Sequence, residues 1–388
     1  MYTLTVTADL DTRDDPVPIA GQQIATINFT AAAVLTIFSS SFNGTDVSAN
    51  VTLNGSGGVD QVYVVTDGPV FSAEEWSFGT WDSDDLITIE GSAQVNTLTG
   101  SSQRDLFLLA SHDTANGGAG DDIFRVFGAS GTFNLAVDGG TETTADRFQV
   151  VGAVDLRTIT IANVEGLEDI SGATTAQLGS DQVGAGKINI FNSSQPTALA
   201  LQVFGATADL STATFGTWGA EDSVALFGTA GVDTLKGSSK RDTLLGGASN
   251  DTLFGNDGND ILTGGAGRDT MTGGTGLDDF DFNKVAEIGK TSSTRDKIIG
   301  FTHLQDDIDL STIDANGSAS GDKAFTFLAT KDSVFTGIRG QVRWFQINTS
   351  GTTNDKTIIE GDVNGDEKAD FQIELVGLKT LTKADFIL

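Results

Sequence analysis

Six aspartates stand nine residues apart: Asp233, Asp242, Asp251, Asp260, Asp269 and Asp278. Two residues after each comes an apolar side chain, in turn Leu235, Leu244, Leu253, Leu262, Met271 and Phe280. Glycines fill the positions before the acids, and the fullest instance is Gly264, Gly265, Gly267 and Asp269 with Met271. Glycine tolerates positive φ and close backbone approach, so such a turn can aim its carbonyls at one point. Aspartate adds a hard anionic oxygen. Ca²⁺ takes roughly six to eight oxygens at about 2.3–2.6 Å in irregular geometry, whereas Mg²⁺ demands a tight octahedron and keeps its own water. The chemistry these residues suit is calcium binding. The candidate ligands are the six aspartates, in turns that also contain Gly247, Gly258, Gly265, Gly267, Gly274 and Gly276. Asp105 and Asp122 are further candidates upstream.

The elements that position these acids follow from the period. If one nonapeptide is a turn plus a short strand, two make a full coil, and turns on one side recur every 18 residues. Asp233, Asp251 and Asp269 then stack on one edge, and Asp242, Asp260 and Asp278 on the other. Each ion would sit between neighbouring turns of one edge, and the apolar residue would face a core. A glycine-rich linker would need neither phase-locked acids nor phase-locked apolar residues. Ser249 replaces a glycine before Asp251, and Lys240 and Arg241 crowd Asp242. The turns at 228–233 and 237–242 depart furthest from the motif and are the least suited to an ion. Without metal, like charges would stack along each edge, so the segment is expected to fold on binding calcium.

A longer repeat contains this one. "FGTWDSDDLITIEGSAQVNTLTGSSQRDLFLL" begins at Phe78 and "FGTWGAEDSVALFGTAGVDTLKGSSKRDTLLG" at Phe215, so Trp81 and Trp218 are 137 residues apart, as are Asp105 and Asp242. The first ~290 residues read as two copies of a solenoid-like unit. In the first copy the nonapeptides stutter. Asn96 stands where Asp233 stands, and Asp105 to Asp122 spans 17 residues, one short of two nonapeptides. That copy is expected to bind metal less well, or at fewer sites.

Composition narrows the class of protein. The 388 residues include 53 acidic and 22 basic ones, a formal charge of -31. This disfavours nucleic acid and anionic membrane surfaces as partners. A hydrophobic fraction of 38% with 24 Phe provides material for a core. There is no cysteine, hence no disulfide framework or thiolate metal site. The N-terminus "MYTLTVTADLDTRDD" has no basic start or apolar run, which argues against a signal peptide. The longest apolar stretch, "AAAVLTIF" at 31–38, is too short to span a bilayer. Forty-eight glycines against four prolines, with Thr, Val, Ile and Phe in short runs, predict many short strands joined by tight turns. The best helix candidate is the terminal "KTLTKADFIL".

The nonapeptide G-G-x-G-x-D-x-U-x, with U apolar, resembles the parallel β-roll of RTX (repeats-in-toxin) proteins over residues 228–282. The final third, "DKIIGFTHLQDDIDLSTIDAN" followed by "GDVNGDEKADFQIELVGLKTLTKADFIL", resembles the C-terminal domain of serralysin-type secreted metalloproteases. The resemblance implies an uncleaved type I secretion signal at "ADFIL", the type I secretion machinery as a partner, and an extracellular location outside a Gram-negative cell. "ADFIL" also reads as a terminal strand or helix docking on a sheet. The family's protease half is missing: no H-E-x-x-H occurs, and the two histidines, His112 and His303, cannot form a three-histidine zinc site. "DVNGDEKAD" begins like a calcium loop, but its glycine is at the fourth position, and a polar turn between strands is the better reading.

No nucleophile elbow or phosphate loop is present. Paired carboxylates such as Glu74–Glu75, Asp84–Asp85 and Asp306–Asp307 could serve a glycosidase or lyase, yet such pairs arise by chance in so acidic a chain. Trp76, Trp81, Trp218 and Trp344 could stack on sugars, although the equivalence of Trp81 and Trp218 favours a repeated core role. The reading is an all-β protein, a parallel β-roll or β-solenoid with a C-terminal β-sandwich-like cap. Residues 1–130 and 131–290 are the solenoid units, and 291–388 the cap. The expected function is that of a secreted, calcium-binding, non-catalytic protein with a structural or adhesive role, self-associating or binding polysaccharide, without membrane insertion. The alternative is a carbohydrate-active enzyme or polysaccharide-binding protein built on the N-terminal solenoid.

Overall fold

The computed structural model describes residues 2–6, 8–11, 24–38, 51–128, 134–140, 146–171, 174–185, 187–193, 198–317, 323–349 and 354–388. The chain forms two compact units, one of Met1–Gln177, Ala185–Leu199 and Phe215–Asp222, the other of Leu178–Gly184, Ala200–Thr214 and Ser223–Leu388. The described residues are β-strands and turns, apart from 3₁₀ conformation at Asn354 and at Lys383–Asp385.

In the first unit, a long parallel sheet runs through Val34–Phe38, Gln61–Val65, Leu86–Glu90, Asp105–Leu109, Ile123–Phe127, Arg147–Val151 and Gly166–Asp169. A second parallel sheet stacks Val70–Ser72, Thr97–Thr99, Thr114–Asn116, Ala136–Asp138 and Thr160–Ala162. The chain alternates between the two, as a solenoid must. Side chains alternate faces along a strand, so every second residue enters the core. Ile89, Phe107, Phe124, Phe148 and Leu167 make one such buried column. Trp81 is buried against Phe29 and Phe78, with ring centroids 5.9 and 6.1 Å away. Trp218 is half-buried, 4.7 Å edge-on from Phe215, so the repeated aromatic corner is packed more openly in the second copy.

In the second unit, Thr234–Lys236, Thr252–Asp257, Thr270–Thr275 and Asp296–Ile299 form one parallel sheet, and Asp242–Ala248, Ile261–Ala266, Asp279–Asp281 and Asp307–Asp309 form the other. The apolar residue of each nonapeptide is fully buried, in columns of Leu235, Leu253, Met271 and Ile298 and of Leu244, Leu262, Phe280 and Ile308. Each such side chain contributes roughly 1.5–3 kcal/mol of hydrophobic stabilisation.

The strands expected in 291–388 are present, and they extend the roll's sheets. Phe371–Val376 lies parallel to Asp296–Ile299, and Lys356–Asp362 and Gln341–Ile347 follow antiparallel. Thr326–Phe327 pairs with Gln341–Ile347 in parallel. The terminal helix is also corrected. Phe386–Ile387 is a strand parallel to Asp307–Asp309, preceded only by the 3₁₀ turn, because burial of Phe386 on the sheet outweighs a weak helical tendency. No helix among the described residues is long and apolar enough to cross a membrane.

Candidate metal centre

The aspartates stack as their spacing predicts. The backbone N–H of Asp233 donates to Asp251 Oδ1 and that of Asp251 to Asp269 Oδ1, both at 2.8 Å. On the other edge Asp242 donates to Asp260 at 2.8 Å, and Asp260 to Asp278 at 3.1 Å. Asp251, Asp260, Asp269 and Asp278 thus stand at the start of a strand and each receives the amide of the acid one coil earlier. All six are buried.

The second carboxylate oxygen divides the turns into two classes. In the turns ending at Asp251, Asp260, Asp269 and Asp278, Oδ2 is buried and has no hydrogen-bond partner. The residues four before these acids, Gly247, Asn256, Gly265 and Gly274, all have positive φ, from +77° to +122°. Those two before, Ser249, Gly258, Gly267 and Gly276, do too, from +80° to +152°. We call these turns open. In the turn at 228–233, the residue four before the acid is Thr229, which is not left-handed. Its amide donates to Asp233 Oδ2 at 2.5 Å and its hydroxyl to Oδ1 at 2.9 Å. Ser238 does the same for Asp242, amide to Oδ2 at 2.5 Å and hydroxyl to Oδ1 at 3.0 Å. These turns are closed upon themselves.

The open turns fit a calcium ion. A Cβ on Gly246 would stand 2.5 Å from Gly264 O and 2.6 Å from Asp251 Oδ2, so a carbonyl and an orphaned carboxylate oxygen converge where glycine leaves space. Among the described residues, no three His, Asp or Glu side chains converge on a metal position. An ion here would take much of its shell from carbonyls, which suits calcium. Burial is the main cause that raises the acids, with neighbouring charge adding to it. Asp251 and Asp269 are pushed up to about 6 and Asp260 to about 8, and Asp278 is raised as well. Burying unpaired carboxylates is costly unless a cation or a proton neutralises them.

The ladder reaches further than the nonapeptides. Asp269 donates to Asp296 Oδ1 at 2.8 Å and Asp278 to Asp306 Oδ1 at 3.3 Å. Asp306 closes its own turn, Oδ2 accepting the amide of Thr302 at 2.7 Å. In the first unit, Asp60 donates to Asp85, Asn96 to Asp113, Asp105 to Asp122 and Asp122 to Asp146, at 2.7–3.1 Å. The 17-residue step between Asp105 and Asp122 therefore preserves the ladder. Ser56, Ser92 and Ser101 close the turns before Asp60, Asn96 and Asp105. The turn at 117–122 has the open backbone, Gly118 at φ +97° and Gly120 at +125°. Asp105 retains one unpartnered oxygen, Oδ1, and is pushed up to about 7 by burial.

Sequence reasoning missed Asp60, Asp85, Asp113, Asp146, Asp296 and Asp306 as ladder members. The signal was an acid two residues before a buried apolar one, as in Asp60–Val62, Asp85–Ile87, Asp296–Ile298 and Asp306–Ile308. The "DVNGDEKAD" segment is a self-closed turn between antiparallel strands. Asp362 accepts the amides of Gly365 and Glu367, and Asp370 that of Val363. His112 is exposed, whereas His303 is half-buried, 2.6 Å from Asp385 Oδ1.

A parallel β-roll with glycine turns and stacked acids is the architecture of a calcium-binding repeat protein. The family model of the RTX calcium-binding nonapeptide repeat (four copies) matches residues 105–125, 227–262 and 245–280. The chain carries RTX repeats, and RTX repeats bind calcium ions. Among solved structures, it is similar to the AlgE6R3 subunit of the Azotobacter vinelandii mannuronan C5-epimerase, at 28% identity and a TM-score of 0.31, covering 41% of this chain and 80% of that one. A comparison with curated proteins finds no match.

Proposed function

We propose that the chain is a secreted, non-catalytic structural or adhesive protein whose roll sets on meeting calcium outside the cell. The observation that carries this is the stack of four buried, unpartnered oxygens, Oδ2 of Asp251, Asp260, Asp269 and Asp278. Each belongs to a carboxyl group in a dry setting, and at Asp251 and Asp260 a backbone carbonyl, Gly264 O or Gly273 O, faces the same space that glycine leaves. We assign calcium to these four acids and to the carbonyls of their glycine turns. A chain built this way stays loose where calcium is scarce and becomes compact where it is plentiful. That suits export in an unfolded state, and passage through a type I exporter follows from the resemblance of the final third.

Circular dichroism with light scattering during a calcium titration, with magnesium and chelator controls, tests this reading. A calcium-specific gain of β-structure with growth of large particles is the expected result. A fold indifferent to calcium would overturn it.

A second reading, polysaccharide binding by the first unit, has one observation in its favour. Across neighbouring strands of the long sheet, Arg125 donates through Nε and Nη2 to Gln149 Oε1, and Gln149 donates to Glu168 at 2.9 Å. Such a fixed row of planar polar groups is sugar-binding chemistry. Loss of glycan retention on Arg125→Ala would support it.

A further inference from the structure

Resting on the calcium reading, one step goes beyond it: which turns take the ion is decided by the residue four before the acid. In the open turns this residue is left-handed, and no amide reaches Oδ2. In the closed turns it is Thr or Ser at ordinary φ, and its amide points at Oδ2 from 2.5 Å. A backbone N–H cannot reverse its dipole as a hydroxyl can. It places partial positive charge where a cation would have to approach Oδ2, so that oxygen is taken by the amide and is not left for the ion. The hydroxyl adds a second donor, at 2.9 Å in Thr229 and 3.0 Å in Ser238.

The positions of the two classes give the distinction a purpose. On one edge the closed turn at 237–242 precedes the open turns at 255–260 and 273–278, and Thr302–Asp306 closes the next. On the other edge, the closed turn at 228–233 precedes those at 246–251 and 264–269. We propose that the Thr229 and Ser238 turns exclude calcium and act as metal-free locks at the start of the roll, so that Asp233 and Asp242 are structural acids and not ligands. Thr229 is then a selectivity residue. The turn reads Gly228-Thr229-Ala230-Gly231-Val232-Asp233, and one substitution, Thr229→Gly, completes the G-G-x-G-x-D pattern.

The experiment is calcium stoichiometry by isothermal titration calorimetry on the full chain, after chelator treatment. Thr229→Gly is expected to bind one calcium more than the wild type. Asp233→Asn is expected to leave the wild-type count unchanged, whereas Asp269→Asn lowers it. An unchanged count in Thr229→Gly, or a count lowered by Asp233→Asn as by Asp269→Asn, overturns the proposal. The two aspartate variants keep the test decisive if Thr229→Gly folds poorly. A wild-type chain that takes up no calcium would refute the calcium reading itself, before any variant is compared.

Discussion

The roll at 228–282 and the coils at 55–146 use the same backbone ladder and neutralise it differently. In both, the amide of one ladder acid donates to the acid of the next coil, at 2.8 Å for Asp251–Asp269 and for Asp105–Asp122 alike. In the roll the step is 18 residues, most turns are open, and four carboxylate oxygens have no partner. In the coils the steps vary, and Ser56, Ser92 and Ser101 supply donors from within their turns, while the turn at 117–122 keeps the open backbone and Asp105 an unpartnered Oδ1. The ladder does not itself require a metal. Calcium dependence comes from leaving the second oxygen unsatisfied, and that follows from which residues the turn contains.

The strongest way to break this comparison is to remove calcium. Chelation is expected to abolish hydrogen-exchange protection of the strands between Thr252 and Asp281 while the strands between Gln61 and Leu109, whose turns are closed, keep theirs. Equal loss in both regions would mean that the closed turns do not stand without metal. Hydrogen exchange read by mass spectrometry resolves the two regions.

Next in size is the effect of pH on the metal-free chain. Burial pushes Asp251 and Asp269 up to about 6 and Asp260 and Asp296 up to about 8, above the unfolded value of about 3.9. A folded state that holds protons more tightly than the unfolded state loses stability as pH rises. Their contribution is fully present below about pH 4 and is lost as pH climbs through about 6 to 8. Urea midpoints of the chelated protein should fall over that window. With calcium the trend should reverse, since protons compete with the ion.

A smaller effect separates individual acids. Asp269→Asn keeps the shape and removes the charge, and it should weaken calcium binding about tenfold or more, at ~1.4 kcal/mol per tenfold. Of comparable size, Gly265→Ala forces a side chain into φ +93° and against Gly247 O. A strained non-glycine residue of this kind costs about 1–3 kcal/mol, readable as a lower melting temperature in calcium. The matched change Ser101→Ala in the closed turn removes two hydrogen bonds, to Asp105 and from the Gln103 amide, and should cost about 1 kcal/mol for each, with no change in calcium uptake.

Much of this molecule is legible without coordinates. A strand alternates faces every residue and a turn of constant length returns the chain to the same edge, so the nine-residue period alone places Asp233, Asp251 and Asp269 together and sends Leu253, Leu262 and Met271 inward. The type of ion follows from oxygen ligands and glycine turns. These are local properties, repeated.

What only the tertiary structure decided is non-local. Asp296 and Asp306 join the ladder across 27 and 28 residues, a spacing that no period announces, because the intervening loops are free to vary so long as the amide still meets the carboxylate. The 17-residue step at Asp105 keeps register for the same reason. The division into open and closed turns depends on φ at one position and on whether its amide reaches Oδ2. Thr229 and Gly247 differ by one side chain in sequence; in space, that side chain determines whether a buried carboxylate is left for a cation.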